Sequence, residues 1–359
     1  MTWEGPGFVD AHAHVLRAAT GVPAPYGDPS DREAVATWHR RVSERWSTPM
    51  DEELPPVVVD DRLRGSLERA LDRARSVGLV EITEAGLHDW GVLEALLGLR
   101  ARGDLPVRVR LLVASGIADV KRMAPTGDPW LELVGVKFYV DGWLGPRTCA
   151  LREPFADDPD EADTGVLFLT ADELASRADP FAEQGWTIAT HAIGDRAIEV
   201  VLDAYENLYG SDCAAAAPRI EHAQVLRADL VRRMAELGVV ACVQPGFAVS
   251  DAHDARAALG RDRMEEAYRW DALLDAGVRV VSGSDFPIEP LDPLGGLQQL
   301  ATGDPLDGKR VGAPTLAVER ALALMTDAAA GRVVLSDDPL RTAEDELAAI
   351  EVVETRPAG

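Results

Sequence analysis

The sequence predicts an α/β protein that folds as a closed (β/α)8 barrel of the TIM type. Short apolar runs rich in β-branched residues recur along its 359 residues, with amphipathic helical stretches between them. There are eight such runs, and eight strands alternating with helices favour a closed barrel over an open sheet. The predicted strands are FVDAHAHV near 8–15, LVEIT near 79–83, VRVRLLVA near 107–114, LVGVKFYV near 133–140, TIATHA near 187–192, RIEHA near 219–223, VVACVQ near 239–244 and VRVVSGS near 278–284.

The helices are predicted from apolar spacing and from capping residues. After Asp60, apolar residues recur at three- and four-residue spacing over 63–74, which predicts an amphipathic helix that ends at Gly78. Thr170, with Glu173 three residues further on, predicts a helix N-terminus closed by a capping box. Similar helical patterns follow Asp89, Asp195, Arg227 and Arg263.

The barrel is expected to span residues 1–330, with two long insertions and a tail. Residues 16–59 are rich in proline and tryptophan and too long for an ordinary strand-to-helix loop, so they are expected to cover the mouth of the first strand as a lid or wall. A second insertion follows the fourth strand at 142–170. Residues 331–359 form the tail, whose two strand-like pieces have no obvious partner in the barrel.

Composition and charge weigh against several classes of protein. A formal charge of -25 and the lack of a basic run make nucleic acid a poor partner. The three cysteines are far apart, which indicates neither a disulfide framework nor a thiolate zinc site. No signal peptide pattern is found, and no apolar run approaches the roughly 18 residues of a membrane span. A cytoplasmic location without a membrane partner is therefore expected.

Polar residues stand at the ends of several predicted strands, where an ionisable group is costly unless something compensates it. The carboxyl ends of barrel strands converge on one mouth, so these side chains are expected to meet there. They supply nitrogen and oxygen ligands suited to zinc or another divalent first-row ion. The candidate ligands are His12, His14, Lys137, His191, His222 and Asp285.

Lys137 is unusual in such a set because an ammonium would repel a metal ion. It could act there if neutral, or if CO2 had converted its amine to an anionic carbamate, which a low-dielectric setting would favour. The alternative is an ordinary ion pair of Lys137 with Asp141 or Glu84. The sequence leaves both interpretations open.

The motifs together resemble the amidohydrolase superfamily and, within it, the YtcJ-like amidohydrolase 3 group that includes N-substituted formamide deformylases. The similarity runs from about Gly7 to about Pro293 and rests on FVDAHAHV, VKFYVDGWLGPRTCAL, GWTIATHAIGDRAIEVVLDAYE, RIEHAQVL, ACVQPGF and SGSDFPIEPLDPL. The resemblance implies a barrel of the metal-dependent hydrolase type. Relatives carry a β-sandwich before the first motif, so a truncated or absent sandwich is expected here, with residues 331–359 as its remnant.

The resemblance also implies roles for the candidate ligands. His12 and His14 would bind the more buried metal, and His191 and His222 the second. Lys137 would be the bridging N6-carboxylysine, and Asp285 the last ligand and proton shuttle, so that Asp285, His222 and Lys137 are the expected catalytic residues. The expected reaction is hydrolysis of a C–N bond in an amide, formamide or cyclic amide, with one or two divalent ions, zinc foremost. Alternatives are an ester or lactone hydrolase, a deaminase or isomerase, and a non-catalytic binding or regulatory barrel.

Further residues are expected around this centre. Asp195, Glu221 and Asp141 could orient the imidazoles or the lysine, although Asp195 is equally well placed to cap a helix. Arg147 could receive a polar group of the substrate or form a surface salt bridge. The residues expected to border the mouth and contact a small-molecule substrate are Trp143, Arg147, Gln244 and Phe286. A homodimer is compatible with an acidic, apolar-rich barrel of this size, but nothing in the sequence fixes a symmetry.

Overall fold

A computed structural model describes residues 2–21, 57–117, 123–160, 162–303 and 315–359. Most of the insertion at 16–59, predicted to form a lid, lies outside these residues.

Ten strands form one sheet in the order β10-β9-β1-β2-β3-β4-β5-β6-β7-β8. Successive strands from β1 to β8 pair in parallel, each with the next along the chain. This arrangement confirms the eight predicted strands and the predicted fold class. The strands are β1 (Trp3–Ala13), β2 (Leu79–Leu87), β3 (Arg108–Ala114), β4 (Leu131–Tyr139), β5 (Thr187–Ala192), β6 (Arg219–His222), β7 (Val240–Val243), β8 (Val280–Ser282), β9 (Thr326–Leu335) and β10 (Val352–Pro357).

The barrel closes where the segment after β8 meets β1. The Asp285 N–H donates to the His12 carbonyl at 2.7 Å, and the His14 N–H donates to the Phe286 carbonyl at 2.7 Å. Gly283 permits this approach because a Cβ there would lie 2.4 Å from the His12 nitrogen. Asp10 adds a side-chain link, since it accepts the N–H and the hydroxyl of Ser284 at 3.0 and 2.6 Å. The closure therefore lies at the predicted ligands.

Helices cover the outside of the barrel, and most begin where the sequence predicts. Asp60 caps α2 by accepting the Leu63 N–H, and the capping box of Thr170 and Glu173 opens α4. The helix predicted directly after Arg263 begins later, because a 3-10 turn intervenes. The helices are α1 (Val15–Thr20), α2 (Asp61–Ser76), α3 (Trp90–Arg102), α4 (Ala171–Ala182), α5 (Asp195–Tyr209), α6 (Cys213–Ala216), α7 (Ala228–Leu237), α8 (Phe247–Ser250), α9 (Ala252–Arg263), α10 (Trp270–Asp275), α11 (Pro293–Thr302) and α12 (Val318–Met325). Within the described ranges, none of these helices has the length and apolar character to cross a membrane.

Two apolar clusters form the core. The larger one contains the buried faces of the outer helices, such as Leu67 and Leu71 of α2, and the strand side chains packed against them. The smaller one consists of Ala85, Leu112 and Ala189. Ala189 pairs in register with Lys137, and residues paired in parallel strands share a face of the sheet. The small cluster and Lys137 therefore lie on the same, inner side of the barrel.

The tail extends the sheet beyond the barrel. Strand β9 pairs antiparallel with the first half of β1, from Trp3 to Phe8, and β10 pairs antiparallel with β9. The first strand-like piece of the tail thus finds its partner in β1, and the second pairs with the first. The expected boundary between residues 330 and 331 falls inside β9.

Candidate metal centre

The ends of β1, β5, β6 and β8 bring four histidines and an aspartate together. Asp285 Oδ1 lies 3.3 Å from His12 Nε2 and 3.2 Å from His14 Nε2. The His222 ring lies 4.8 Å from that of His12 and 4.6 Å from that of His191, measured between centroids. The structure therefore places five of the six candidate ligands in one contiguous group.

Lys137, the sixth candidate, reaches the same region from β4. Its side chain is 1% exposed, and its Nζ lies 5.2 Å from the centre of the Tyr139 ring, which in turn neighbours His191. Among the described residues, no carboxylate oxygen lies within 4 Å of the Lys137 ammonium. Burial lowers the pKa of Lys137. The described residues therefore contain no ion pair of Lys137 with Asp141 or Glu84, which was the alternative interpretation.

Both of those carboxylates have other partners. Asp141 accepts three backbone N–H groups, from Ala150, Ile193 and Gly194, at 2.8–3.0 Å, and lies 3.4 Å from His191 Nε2. Burial raises the pKa of Asp141 to about 7. Glu84 accepts the N–H groups that open α1, including that of Leu16 at 2.8 Å. Asp141 thus joins the loops after β4 and β5.

Hydrogen bonds occupy one nitrogen of each of three imidazoles. His12 Nδ1 lies 2.6 Å from Glu221 Oε2, and His222 Nδ1 lies 2.8 Å from Gln244 Oε1. His191 Nε2 lies 2.9 Å from the Gly142 carbonyl. Since these partners are acceptors, each bonded nitrogen carries a proton, and in His191 and His222, whose pKa values are lowered by burial, the other nitrogen keeps its lone pair. The nitrogens with a lone pair available to a metal ion are therefore Nε2 of His222 and Nδ1 of His191, whereas His12 Nε2 faces the Asp285 carboxylate at 3.3 Å.

The electrostatics of the group suit cation binding. Burial lowers the pKa of His191 to about 3 and that of His222 well below its ordinary value, so both imidazoles are neutral, as metal ligands must be. Burial alone would raise the pKa of Asp285, but His12 and His14 hold it well below its usual range. The centre therefore combines the neutral imidazoles of His191 and His222 with an ionised carboxylate.

The donor set fits a divalent ion. Ligand atoms of His12, His14 and Asp285 lie within 4.8 Å of one another, and buried His14 Nδ1 has no hydrogen-bond partner. Imidazole nitrogen and carboxylate oxygen are ligands that zinc accepts. A second grouping of His12, Glu221 and Cys242 fits less well, because burial keeps the Cys242 thiol protonated and Glu221 is already bonded. Metal binding is therefore best supported around Asp285.

The backbone at two of these residues has an uncommon conformation. His222 and Asp285 have φ angles of 76° and 58°, in the left-handed region that residues other than glycine seldom adopt. Such conformations cluster at functional sites, where the surrounding structure holds them in place.

Other predicted site residues have mainly structural contacts. Asp195 accepts the N–H of Arg152 and pairs with Arg227 at 2.9 Å, so its carboxylate bonds to neither an imidazole nor Lys137. Arg147 forms a salt bridge with Asp157, which was the alternative foreseen for it.

Of the remaining residues predicted to contact substrate, two bond to parts of the centre and one packs against the core. Gln244 is buried and supports His222, and the Phe286 carbonyl supports β1. Trp143 is half-buried and packs against the core at the start of the insertion 142–170. Glu221, expected to orient an imidazole or the lysine, lies 2.6 Å from His12 Nδ1.

Two residues that the sequence analysis missed also support the centre. Asp10 accepts the His12 N–H at 3.1 Å and joins β1 to the segment after β8. Arg219 donates to Glu221 at 2.8 Å. Each stands two residues before a candidate residue in the same strand, a spacing that places its side chain on the same face and that could have identified it.

The fold and this centre define a class of protein: an α/β barrel whose strand ends bring together imidazoles and a carboxylate, a set of ligands that fits a divalent ion. Residues 39–350 match the model of a family described as the Amidohydrolase family, and the chain belongs to that family. The match begins after His12 and His14, so the placement of these two histidines rests on the structure.

Curated relatives are similar over part of their length. The chain is 38% identical over 199 residues to "Putative amidohydrolase YtcJ" of Bacillus subtilis, which covers 55% of this chain and 37% of that protein. It is 27% identical over 252 residues to an N-substituted formamide deformylase of Arthrobacter pascens, covering 63% of this chain and 45% of that protein. The chain thus spans less than half the length of either relative.

Solved structures share the fold. Uncharacterized metal-dependent hydrolases from Pyrococcus furiosus and Pyrococcus horikoshii superpose with TM-scores of 0.74 and 0.75. They cover 95% and 96% of this chain and 88% of each of those chains, at 23% and 21% identity. At this identity the likeness establishes the architecture alone.

Near the centre, Asp251 gives the protein a pH-dependent stability. Burial raises the pKa of Asp251 to about 7, and Glu289 adds to the rise, while a 2.9 Å hydrogen bond from Gln224 opposes it. An unfolded aspartate has a pKa of about 3.9, so the folded state binds more protons between these values. The contribution of protonated Asp251 to the free energy of unfolding is therefore complete below about pH 4 and is lost as the pH rises through 7.

Asp251→Asn is expected to remove this loss of stability at high pH. The Asn amide oxygen can still accept a hydrogen bond from Gln224, and the amide carries no charge. Urea denaturation of the metal-free protein should show the variant and the wild type equally stable near pH 4, and the variant more stable above pH 7. A stability difference that is the same at both pH values would contradict this assignment.

Proposed function

We propose that this protein is a metal-dependent hydrolase that cleaves a C–N bond in an amide, a formamide or a cyclic amide. The observation that carries the proposal is the contact of one ionised carboxylate, Asp285, with Nε2 of both His12 and His14. Membership of the amidohydrolase family supports it, as do the names of an amidohydrolase and a formamide deformylase among its relatives.

The residues around Asp285 would hold one or two ions, of which zinc is the favoured candidate. His12, His14, His191 and His222 offer imidazole nitrogens, and Asp285 offers a carboxylate. Lys137 would join them as a carbamate formed with CO2, which suits a buried amine with a lowered pKa and no ion-pair partner in the described ranges. When bound, such an ion lowers the pKa of water and polarises the substrate carbonyl.

The chain itself would move the proton. Ionised Asp285 would accept a proton from the attacking water as the water oxygen bonds to the carbonyl carbon. The same carboxyl then returns that proton to the leaving nitrogen as the C–N bond breaks, so the proton count balances. His222, held by Gln244, and Lys137 would keep the reacting groups in place.

The first test is the metal content of protein purified without chelator, measured by elemental mass spectrometry. We expect one or two equivalents of zinc, manganese or iron per chain. Removing the metal should lower the melting temperature, because a ligand present at 100 times its Kd stabilises the folded state by about 2.7 kcal/mol.

The result that would overturn the proposal is a folded, metal-free protein that also fails to take up added zinc. If metal is bound, amides, formamides and lactones should be screened next. Release of a carboxylic acid together with an amine would identify C–N hydrolysis, and ammonia release would instead identify a deaminase.

A further inference from the structure

A partly buried arginine, Arg219, connects β6 to β1 beneath the candidate metal centre. The Arg219 guanidinium donates from Nε to Glu221 Oε1 at 2.8 Å and from Nη2 to Glu221 Oε2 at 3.1 Å. The same Nη2 donates to the Ala11 carbonyl at 2.8 Å. Glu221 Oε2 in turn lies 2.6 Å from His12 Nδ1. Arg219, Glu221, His12 and Ala11 therefore form a closed set of contacts across two strands.

This set of contacts restricts the His12 ring more than a single hydrogen bond would. The bidentate contact fixes the plane of the Glu221 carboxylate, and that plane sets the direction in which Oε2 accepts the Nδ1–H. The contact with Ala11 ties the guanidinium to the residue directly before His12. As a result, His12 Nε2 is directed toward Asp285, at 3.3 Å.

We infer that Arg219 is a positioning residue, which acts through Glu221 and the Ala11 carbonyl to hold the His12 imidazole in its metal-binding orientation. The inference rests on the proposed function to the extent that His12 is a metal ligand. A lysine could not replace Arg219 fully, because its single ammonium lacks the planar fork that contacts a carboxylate at two points.

The chain offers a matched control in Arg227. The side chains of Arg219 and Arg227 are 14% and 12% exposed, and both form ion pairs with buried carboxylates. Arg227 pairs with Asp195, which contacts none of the candidate ligands among the residues the structure covers. Loss of either arginine removes a similar ion pair, but only Arg219 is connected to His12.

Zinc affinity tests the inference without a substrate. The Kd for Zn2+ is measured by competition with a chromogenic chelator for the wild type, Arg219→Met, Arg219→Lys, Glu221→Gln and Arg227→Met. We expect Arg219→Met and Glu221→Gln each to weaken zinc binding about 10- to 100-fold, the range typical of groups that orient a metal-bound histidine. Arg219→Lys should recover part of the loss, and Arg227→Met should bind zinc as the wild type does.

The visible spectrum of the Co2+-loaded protein gives a second readout, since it reports ligand geometry. It should change in Arg219→Met and stay unchanged in Arg227→Met. The double variant Arg219→Met/Glu221→Gln should bind zinc no more weakly than either single variant, because both act along one route.

The inference is overturned if Arg219→Met binds zinc as tightly as Arg227→Met does. If Arg219→Met fails to fold, Arg219→Lys and Glu221→Gln decide, and wild-type affinity in both overturns it equally. A wild type that binds no zinc would instead refute the proposed function, which is a separate result.

Discussion

Asp285→Asn is expected to lower kcat by about 10²- to 10⁴-fold, the contribution typical of a positioned proton-transfer group. The amide keeps the size of the side chain but cannot accept a proton from water. It also removes the charge that Asp285 presents to His12 and His14, so zinc affinity should fall. The measurements are steady-state kinetics on a substrate found by screening, together with circular dichroism to show that the fold is retained.

Asp128→Asn provides the matched control for this variant. Asp128 accepts backbone N–H groups from Trp130 and Leu131 and pairs with Arg100, and it lies before β4 at the opposite end of the barrel from the centre. The substitution makes the same chemical change, and the kcat of Asp128→Asn should stay within twofold of that of the wild type. Near-normal turnover in Asp285→Asn would refute the role assigned to Asp285.

Lys137→Met is expected to act in opposite directions on stability and on activity. The ammonium is buried, and its contact with the Tyr139 ring is worth about 0.5–2 kcal/mol, less than the several kcal/mol that burial of an ion costs. A methionine of similar length avoids that cost, so the metal-free variant should gain about 1–4 kcal/mol in its free energy of unfolding. The same change removes the amine that CO2 would modify, and turnover should fall at least about 10²-fold.

Lys137→Arg separates the two effects. It keeps the buried charge and cannot form the carbamate, so it should lose turnover without gaining stability. Intact-protein mass spectrometry of the native wild type should show the mass of one added CO2, and bicarbonate should restore activity to protein reloaded with zinc. A Lys137→Met variant with full activity would contradict any role of this lysine at the centre.

The strands could be predicted because burial dictates their composition. LVGVKFYV and TIATHA are apolar on both faces, as parallel strands between helices and a barrel interior must be, and their polar residues stand out for that reason. The sequence could not show which polar residue faces substrate and which faces another side chain. Gln244, which the sequence predicts to border the mouth, bonds to His222, and this pairing depends on the register of β6 and β7.

Long-range pairing was also beyond the sequence. The antiparallel contact of β9 with Trp3–Phe8 joins residues more than 300 positions apart, and no local pattern specifies such a partner. Arg219 shows a similar difficulty. The two-residue spacing places Arg219 on the same face of β6 as Glu221, but only the fold reveals that it also reaches the Ala11 carbonyl of β1.

Strand β1 pairs with two other strands, and this has a consequence for folding during synthesis on the ribosome. Its first half pairs with β9 and its second half with β2, and its ligand end meets Asp285. During translation, β1 emerges before β9 and Asp285, which are made some 270 to 330 residues later, and pairing over such a distance slows folding. Until then the edge of β1 that pairs with β9 has no strand partner, and an unpaired strand edge favours aggregation. Fragments released before Asp285 is translated would carry His12 and His14 without the carboxylate that faces them.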